Sequence, residues 1–237
     1  DIDLLIADAF HGRIRRVDAA GVIHAFAGGG SVVGLGDGGP ATSAELFLPR
    51  GVSVDPLGNV LIADTDNQRI RRVDGNGVIT TIAGSGAQGF AGNGGPALEA
   101  AFEYPYKAVG DAQGNVYVAD RHNHRVRVVD ANGMIWAFAG TGVMADAGDG
   151  GLAVNAPIKR PGDVTIDSVG NVYISSSQGS RIRKVDTNGY ISTVVGTSTA
   201  GFSGDGGLAT AAQISGFVGV HMGVGDNLYI ADAGNHR

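Results

Sequence analysis

The chain has 237 residues, of which 41 are glycine and none is cysteine, and its formal net charge is −6. The lack of cysteine excludes disulfides, thiolate zinc sites and cysteine nucleophiles. The negative charge argues against nucleic acid as a partner, because phosphate groups need a basic surface. No apolar run is long enough to span a bilayer, so we expect no membrane insertion.

The elements predicted in chain order belong to one segment that recurs. The stretch "LLIADAFHGRIRRVD" begins at Leu4, and similar stretches begin at Val60, Val116, Val172 and Leu228. Successive copies are 56 residues apart, as from Leu4 to Val60. A repeat of this length is typical of a solenoid or a propeller, and the abundant glycines indicate many turns between short strands.

The second copy shows how one repeat is built. We predict four strands, at residues 51–55, 60–64, 69–74 and 78–84. Asn76-Gly77 predicts a type I′ hairpin between the last two strands. A glycine-rich connection, 85–106, follows and contains a short helix or an ordered arm at 96–102. Four antiparallel strands in each repeat predict an all-β chain, a β-propeller with about four blades.

The third copy carries the residues of a known family. Asn115–Asp120, Asn123–Val126, Asp130 and Gly133 resemble the pattern of NHL repeats, and the connection at 201–213 resembles that of secreted bacterial NHL proteins and of the teneurin ectodomain. The resemblance implies a β-propeller, usually of six blades, and an extracellular or periplasmic location. It does not imply one function, since the family includes binding scaffolds, peptidyl-hydroxyglycine lyases and RNA-binding modules.

The copies predict a single propeller domain over residues 1–237. The first copy lacks its first strand and the last copy contains only two strands, so the chain forms either a closed four-bladed ring or part of a larger propeller. We expect the latter, in which open blade edges could self-associate. Blade material is predicted at residues 1–30, 51–84, 107–140, 163–196 and 218–237.

A polar corner follows the second strand of the copies, with the pattern Asp-x-x-Asn-x-Arg in the second, third and last copies and only its Asp and Arg in the first. Because it recurs from blade to blade, we interpret it as structure rather than catalysis, with Asp pairing to the Arg that starts the third strand. The fourth copy has Ser176 and Gly179 instead of Asp and Asn, which indicates either a tolerated loss or a blade released for another task. The predicted corner residues are Asp8, Arg13, Asp64, Arg69, Asp120, Arg125, Arg181, Asp232 and Arg237.

The glycine-rich connections offer one carboxylate each, at Asp37, Asp149 and Asp205, and the neutral Asn93 in the remaining copy. Calcium needs several oxygen ligands gathered together. We therefore interpret these segments as turns and expect no cofactor, with calcium possible but unsupported.

Positions that differ between copies predict the binding site. Arg50 and Tyr106 occupy one position of the repeat, and Lys107 and Asp163 the next, where the first strand would line the mouth of a central channel. We add His221, which is either an inward ligand or a buried structural residue. Trp136 is either a contact surface or a cover for the loop 141–147.

These observations favour a non-enzymatic propeller that binds a protein or glycan through this rim. Two alternatives stay open: a lyase or lactonase with a metal in the channel, and a structural module that assembles through its blades.

Overall fold

The computed structural model describes residues 4–30, 33–216 and 218–237, so the first three residues of the predicted N-terminal blade lie outside it. Strands and single 3₁₀ turns make up all regular structure of the described residues, which confirms the all-β prediction. None of these residues belongs to a helix long and apolar enough to cross a membrane.

The chain divides into two compact units, one of Asp1–Val116 with Val129–Trp136 and the other of Tyr117–Val128 with Ala137–Arg237. The first unit begins with a three-stranded sheet in chain order, β1 (Leu4–Asp8), β2 (Arg13–Val17) and β3 (Ile23–Gly28). A complete four-stranded blade follows, with β4 (Pro49–Val54), β5 (Val60–Asp64), β6 (Arg69–Val73) and β7 (Ile79–Ala83). The first unit also contains the short β8 (Gly95–Pro96) and β9 (Pro105–Gly110), which belong to a different sheet from that blade.

The boundary between the units falls within each of the next three strands, β10 (Val116–Asp120), β11 (Arg125–Val129) and β12 (Met134–Ala139). The second unit contains another four-stranded blade, β13 (Pro161–Ile166), β14 (Val172–Ser176), β15 (Arg181–Val185) and β16 (Ile191–Val195). It ends with the paired strands β17 (Val218–Met222) and β18 (Leu228–Asp232). Both complete blades are antiparallel sheets in chain order, as the repeat predicts.

The turn between β6 and β7 differs from the prediction. A type I′ turn needs a positive φ at both central residues, but only Gly77, with φ of 78°, has one. The Asp74 carboxylate accepts hydrogen bonds from the N–H groups of Asn76 and Val78, at 2.9 and 3.0 Å. This side-chain bonding favours a longer loop that ends in a left-handed glycine. The segment 96–102, predicted to be a short helix or an ordered arm, contains a single 3₁₀ turn, Ala97–Glu99.

The core of each unit is built from the strands' apolar residues. All five residues of β5 are buried, and Ile14, Leu46 and Ile79 pack in the same cluster as Ile62. In the second unit, Ile182 packs with Val195 of β16, Val220 of β17 and Ile214 of the connection between those strands. Each such side chain contributes roughly 1.5–3 kcal/mol of hydrophobic stabilisation.

Candidate functional site

The recurrent corner is a structural device, but its ion pair differs from the predicted one. The buried Asp64 carboxylate accepts hydrogen bonds from the Phe47 N–H at 2.8 Å and from the Asn67 amide at 3.0 Å. Its cationic partner is Arg71, at 3.2 Å, and not Arg69. Arg69 instead donates to the carbonyls of Asn67 and Ser85, at 2.9 and 2.7 Å. The predicted Asp64–Arg69 pair is therefore wrong, although Arg69 does brace the corner through carbonyl oxygens.

Burial governs the electrostatics of this corner. The side chains of Asp64 and Arg71 are both fully buried. Burial raises the pKa of the Asp64 carboxyl above its ordinary value, although hydrogen bonds from Phe47 and Asn67 and the charge of Arg71 oppose the shift. An ion pair at this depth depends on complete hydrogen bonding of both partners.

The connection that precedes each complete blade provides the remaining partners of its buried arginine. Arg71 donates to the Asp37 carboxylate at 2.9 Å, and Arg183 donates to that of Asp149 at 2.6 Å. The two arginines also bind carbonyls at equivalent positions, which are Leu35 and Glu45 for Arg71 and Ala147 and Pro157 for Arg183. The sequence did not predict that these arginines bind the connection, although an arginine recurs at this position of the repeat.

These contacts give the connection aspartates a clear function. The Asp37 carboxylate also accepts a hydrogen bond from the Thr81 hydroxyl, and Asp149 accepts two from Thr193. Burial would raise the pKa of Asp149, but the bonds from Thr193 and Arg183 outweigh it and hold the pKa below its ordinary value. No group of three or more His, Asp or Glu able to hold a metal occurs among the described residues.

The exceptional corner of the fourth copy replaces its missing acid from elsewhere. Asp146, in the preceding connection, accepts hydrogen bonds from the Ser176 hydroxyl at 2.8 Å and from the Lys159 N–H at 3.0 Å. Lys159 corresponds to Phe47, whose N–H binds Asp64 in the second blade. A Cβ atom at Gly179 would overlap the Asp146 carboxylate. Asp146 therefore compensates for the carboxylate that is missing at Ser176. The prediction that the blade simply tolerates this loss is wrong.

The other predicted corner residues make related contacts. Asp8 binds His11 at 2.7 Å and lies 3.9 Å from Arg15. Asp120 binds Asn123 and lies 3.9 Å from Arg127, and Asp232 binds the Ser215 N–H and Asn235. Three of the arginines that start the third strands have guanidinium groups placed on the next connection: Arg13 on Gly29, Arg125 on Gly142 and the Thr141 carbonyl, and Arg237 on the Phe202 ring. For Arg181 it is the backbone Cα that lies against Gly196.

Three predicted rim residues lie close together in the first unit. The exposed Arg50 guanidinium lies 5.1 Å from the centre of the Tyr106 ring. The Lys107 ammonium donates to the Val52 carbonyl at 2.9 Å and so ties β9 to β4. A Cβ atom at Gly51 would overlap the Tyr106 carbonyl, which explains why glycine stands where the next copy has Lys107.

The other two predicted rim residues lie in the second unit. Asp163, equivalent to Lys107, accepts a hydrogen bond from the Val220 N–H at 3.1 Å and so ties β13 to β17. His221 lies opposite Tyr229 in the β17–β18 pair and is exposed. The interpretation of His221 as a buried structural residue is wrong, and its alternative role as an inward ligand stays a prediction. Its place in a binding site stays a prediction, as does that of Asp163.

Trp136 contacts the glycine-rich connection that precedes its own blade. Its side chain is 46% exposed, and its ring lies beside Gly94. The indole Nε1–H donates to the Asp130 carboxylate at 3.4 Å. The ring therefore covers the glycine turn at 92–95 with one face and leaves the rest to solvent.

Comparison with known proteins agrees with the repeat and its fold. The teneurin NHL domain matches residues 32–91 and 143–201, and the NHL repeat matches residues 108–129. Teneurin-4 of Mus musculus is 31% identical over 228 residues, which cover 85% of this chain and 8% of that protein. The chain thus spans a small part of the curated relatives it matches.

Solved structures share the fold at lower identity. An auxiliary nutrient binding protein from Bacteroides thetaiotaomicron matches with a TM-score of 0.65 and 14% identity, over 99% of this chain and 55% of that one. A virginiamycin B lyase from Staphylococcus aureus matches with a TM-score of 0.55 and 15% identity, over 97% of this chain and 59% of that one. Repeat, blade architecture and matches together show that the chain belongs to the NHL-repeat family of β-propellers, with its longest matched segments in the teneurin NHL domain.

Proposed function

We propose that the chain is a binding module, acting outside the cell, whose Arg50–Tyr106 pair recognises an acidic surface of a partner protein. The observation that carries this proposal is the exposed Arg50 guanidinium, placed 5.1 Å from the Tyr106 ring centre. Arginine and tyrosine are enriched among the residues that dominate protein interfaces. A guanidinium already placed on an aromatic ring loses less conformational freedom on binding a carboxylate than a free side chain does.

The strands beneath the pair support its use as a fixed surface. Arg50 and Tyr106 occupy the same position of consecutive repeats, on β4 and β9. These strands are joined by the Lys107–Val52 bond and by the Ser53 hydroxyl, which donates to the Ala108 carbonyl at 2.7 Å. Side chains on such tied strands hold a binding geometry more accurately than side chains on loops.

The experiment is capture of secreted and cell-surface proteins on an array by labelled wild type, with Arg50→Ala, Tyr106→Ala and the control Arg72→Ala. Arg72 is an exposed arginine of the same unit, outside the pair. We expect Arg50→Ala and Tyr106→Ala each to weaken capture by roughly tenfold or more, and Arg72→Ala to leave it unchanged. Equal loss in all three variants, or none, would refute the site. Capture of acidic glycans alone would assign a different ligand class, and stoichiometric metal in the purified protein would favour the catalytic alternative.

A further inference from the structure

The backbone just before Tyr106 is held by two side chains of the corner in the second copy. The Tyr104 N–H donates to Gln68 Oε1 at 2.9 Å, and the Pro105 carbonyl accepts a hydrogen bond from the Thr65 hydroxyl at 2.7 Å. Both corner side chains are almost completely buried. Hydrogen bonds that are shielded from water are stronger than exposed ones, so these two bonds fix the start of the strand that carries Tyr106.

The first copy reaches the same backbone conformation without such bonds. Leu48 and Tyr104 occupy one position of the repeat, and their φ values are 46° and 53°. In the corner that precedes Leu48, the equivalent positions hold Ala9 and Gly12, neither of which has a polar side chain. The left-handed conformation before the first strand therefore does not require a side-chain acceptor.

Gln68 is also an unfavourable choice for stability alone. Its Nε2 donor is buried without a hydrogen-bond acceptor among the described residues, and a buried donor without an acceptor destabilises the folded state. The third copy provides the same kind of bond through an imidazole, since His124 Nδ1 accepts from the Arg160 N–H at 3.2 Å. Positions at which a sequence breaks a local rule are often functional, which favours a role for Gln68 beyond folding.

The two members of the Arg50–Tyr106 pair are thus held in different ways. The Arg50 guanidinium makes no hydrogen bond or ion pair within the described part of the chain, and it lies 5.1 Å from the centre of the Tyr106 ring. A cation–π contact at an exposed site is weak and requires the cation to lie within about 6 Å of the ring centre. A small displacement of the Tyr106 ring would therefore release the guanidinium.

We infer that Gln68 and Thr65 are positioning residues, which hold the peptide before Tyr106 so that its ring meets the Arg50 guanidinium. Both act through the backbone and, being buried, do not contact a partner themselves. Their importance for recognition rests on the proposed function. Their effect on the pair does not, and it can be measured without a partner.

The test is the ¹H–¹⁵N NMR signal of the Arg50 Nε–H group, which the ring current of Tyr106 displaces. Tyr106→Leu gives the position of this signal without the ring. We expect Thr65→Val and Gln68→Ala each to move the signal most of the way to that position, while the backbone amide signals stay dispersed as in a folded protein. A wild-type Arg50 signal in the folded variants would overturn the inference.

Two further variants separate positioning from a general loss of stability. Gln68→His supplies the acceptor that His124 supplies in the third copy, and it should restore the wild-type Arg50 signal. His124→Ala removes the equivalent bond one repeat later and should leave that signal unchanged; an equal displacement there would overturn the inference. Thr65→Val replaces a hydroxyl by a methyl group and decides the outcome if Gln68→Ala does not fold.

Capture on the protein array distinguishes this inference from the proposed function. If wild type captures a partner, Thr65→Val and Gln68→Ala should weaken capture by roughly threefold to tenfold, because the pair must then be ordered during binding. Absence of capture by wild type would refute the proposed function and leave the NMR result standing. Undiminished capture by variants whose Arg50 signal has moved would overturn the role of these residues in recognition.

Discussion

Asp146 accepts a hydrogen bond from the Ser176 hydroxyl at 2.8 Å and thereby brings a carboxylate to a corner whose own acid is missing. The same carboxylate oxygen binds the Lys159 N–H, as Asp64 binds the Phe47 N–H in the second blade. The acid has moved from the strand end to the preceding connection. The need for a negative group at this place is thus a property of the blade and not of one sequence position.

Restoring the usual corner should rescue the loss of the substitute acid. Asp146→Ala removes the acceptor of Lys159 and Ser176, and we expect it to lower the free energy of unfolding by about 1–3 kcal/mol. The triple variant Asp146→Ala, Ser176→Asp, Gly179→Asn rebuilds the second-blade corner and should recover most of that loss. Urea unfolding measures both. A triple variant no more stable than Asp146→Ala would contradict the substitution of one carboxylate for the other.

Arg69 and Arg71 of β6 should differ strongly in their contributions to stability. Arg71→Met leaves the fully buried Asp64 without a cationic partner, and breaking a buried pair from one side costs about 3–5 kcal/mol. Arg69→Met removes only bonds to carbonyls near the surface and should cost about 1 kcal/mol. Urea unfolding of the two variants compares these costs, and an Arg69 variant as unstable as the Arg71 variant would contradict the assigned pairing.

Acid should weaken the fold partly through Asp149. Its pKa is lower in the folded chain than its ordinary value of 3.8, so the unfolded chain binds the proton more tightly. The stabilisation by Asp149 is fully present above the unfolded pKa and is lost as the pH falls through the folded pKa. Asp149→Asn should therefore show a shallower loss of unfolding free energy below about pH 4 than wild type does. Parallel pH profiles for the two proteins would exclude this role.

Gly51 should be intolerant of a side chain, because a Cβ atom there would overlap the Tyr106 carbonyl of the adjacent strand. Gly51→Ala must separate β4 from β9, at a cost of about 1–3 kcal/mol. Gly75→Ala is the control, since no atom lies within 4 Å of a Cβ at that exposed turn. We expect the control to change the free energy of unfolding by less than about 0.5 kcal/mol. Thermal unfolding of both variants is sufficient to compare them.

The fold could be predicted from the sequence because each copy of the repeat shows the same pattern of strands and turns, so that the copies support the same assignment. A single strand such as β5 is ambiguous, but the same apolar pattern at Val60, Val116 and Val172 identifies a blade with its turns in register. The type I′ turn at Asn76-Gly77 was not predictable in this way, because the Asp74 side chain selects a different loop through two backbone hydrogen bonds.

The contacts of the candidate sites were only partly predictable. Arg69 and Arg71 are two residues apart on one strand, so both face the Asp64 side, and sequence spacing cannot tell which one reaches the carboxylate. The role of Asp146 could have been predicted, because this aspartate occurs in the same copy that lacks an acid at Ser176.

The blade and the preceding connection form one structural unit. Arg71 forms an ion pair with Asp37, and Arg183 forms one with Asp149. Both aspartates precede the first strand of the blade that contains the arginine. A blade cut at the start of its first strand would lose the connection aspartate that its buried arginine binds. Exchange of blades between related propellers should therefore succeed only when the segment begins upstream, in the glycine-rich connection. A repeated segment of 56 residues that includes the connection would then carry its own charge balance with it.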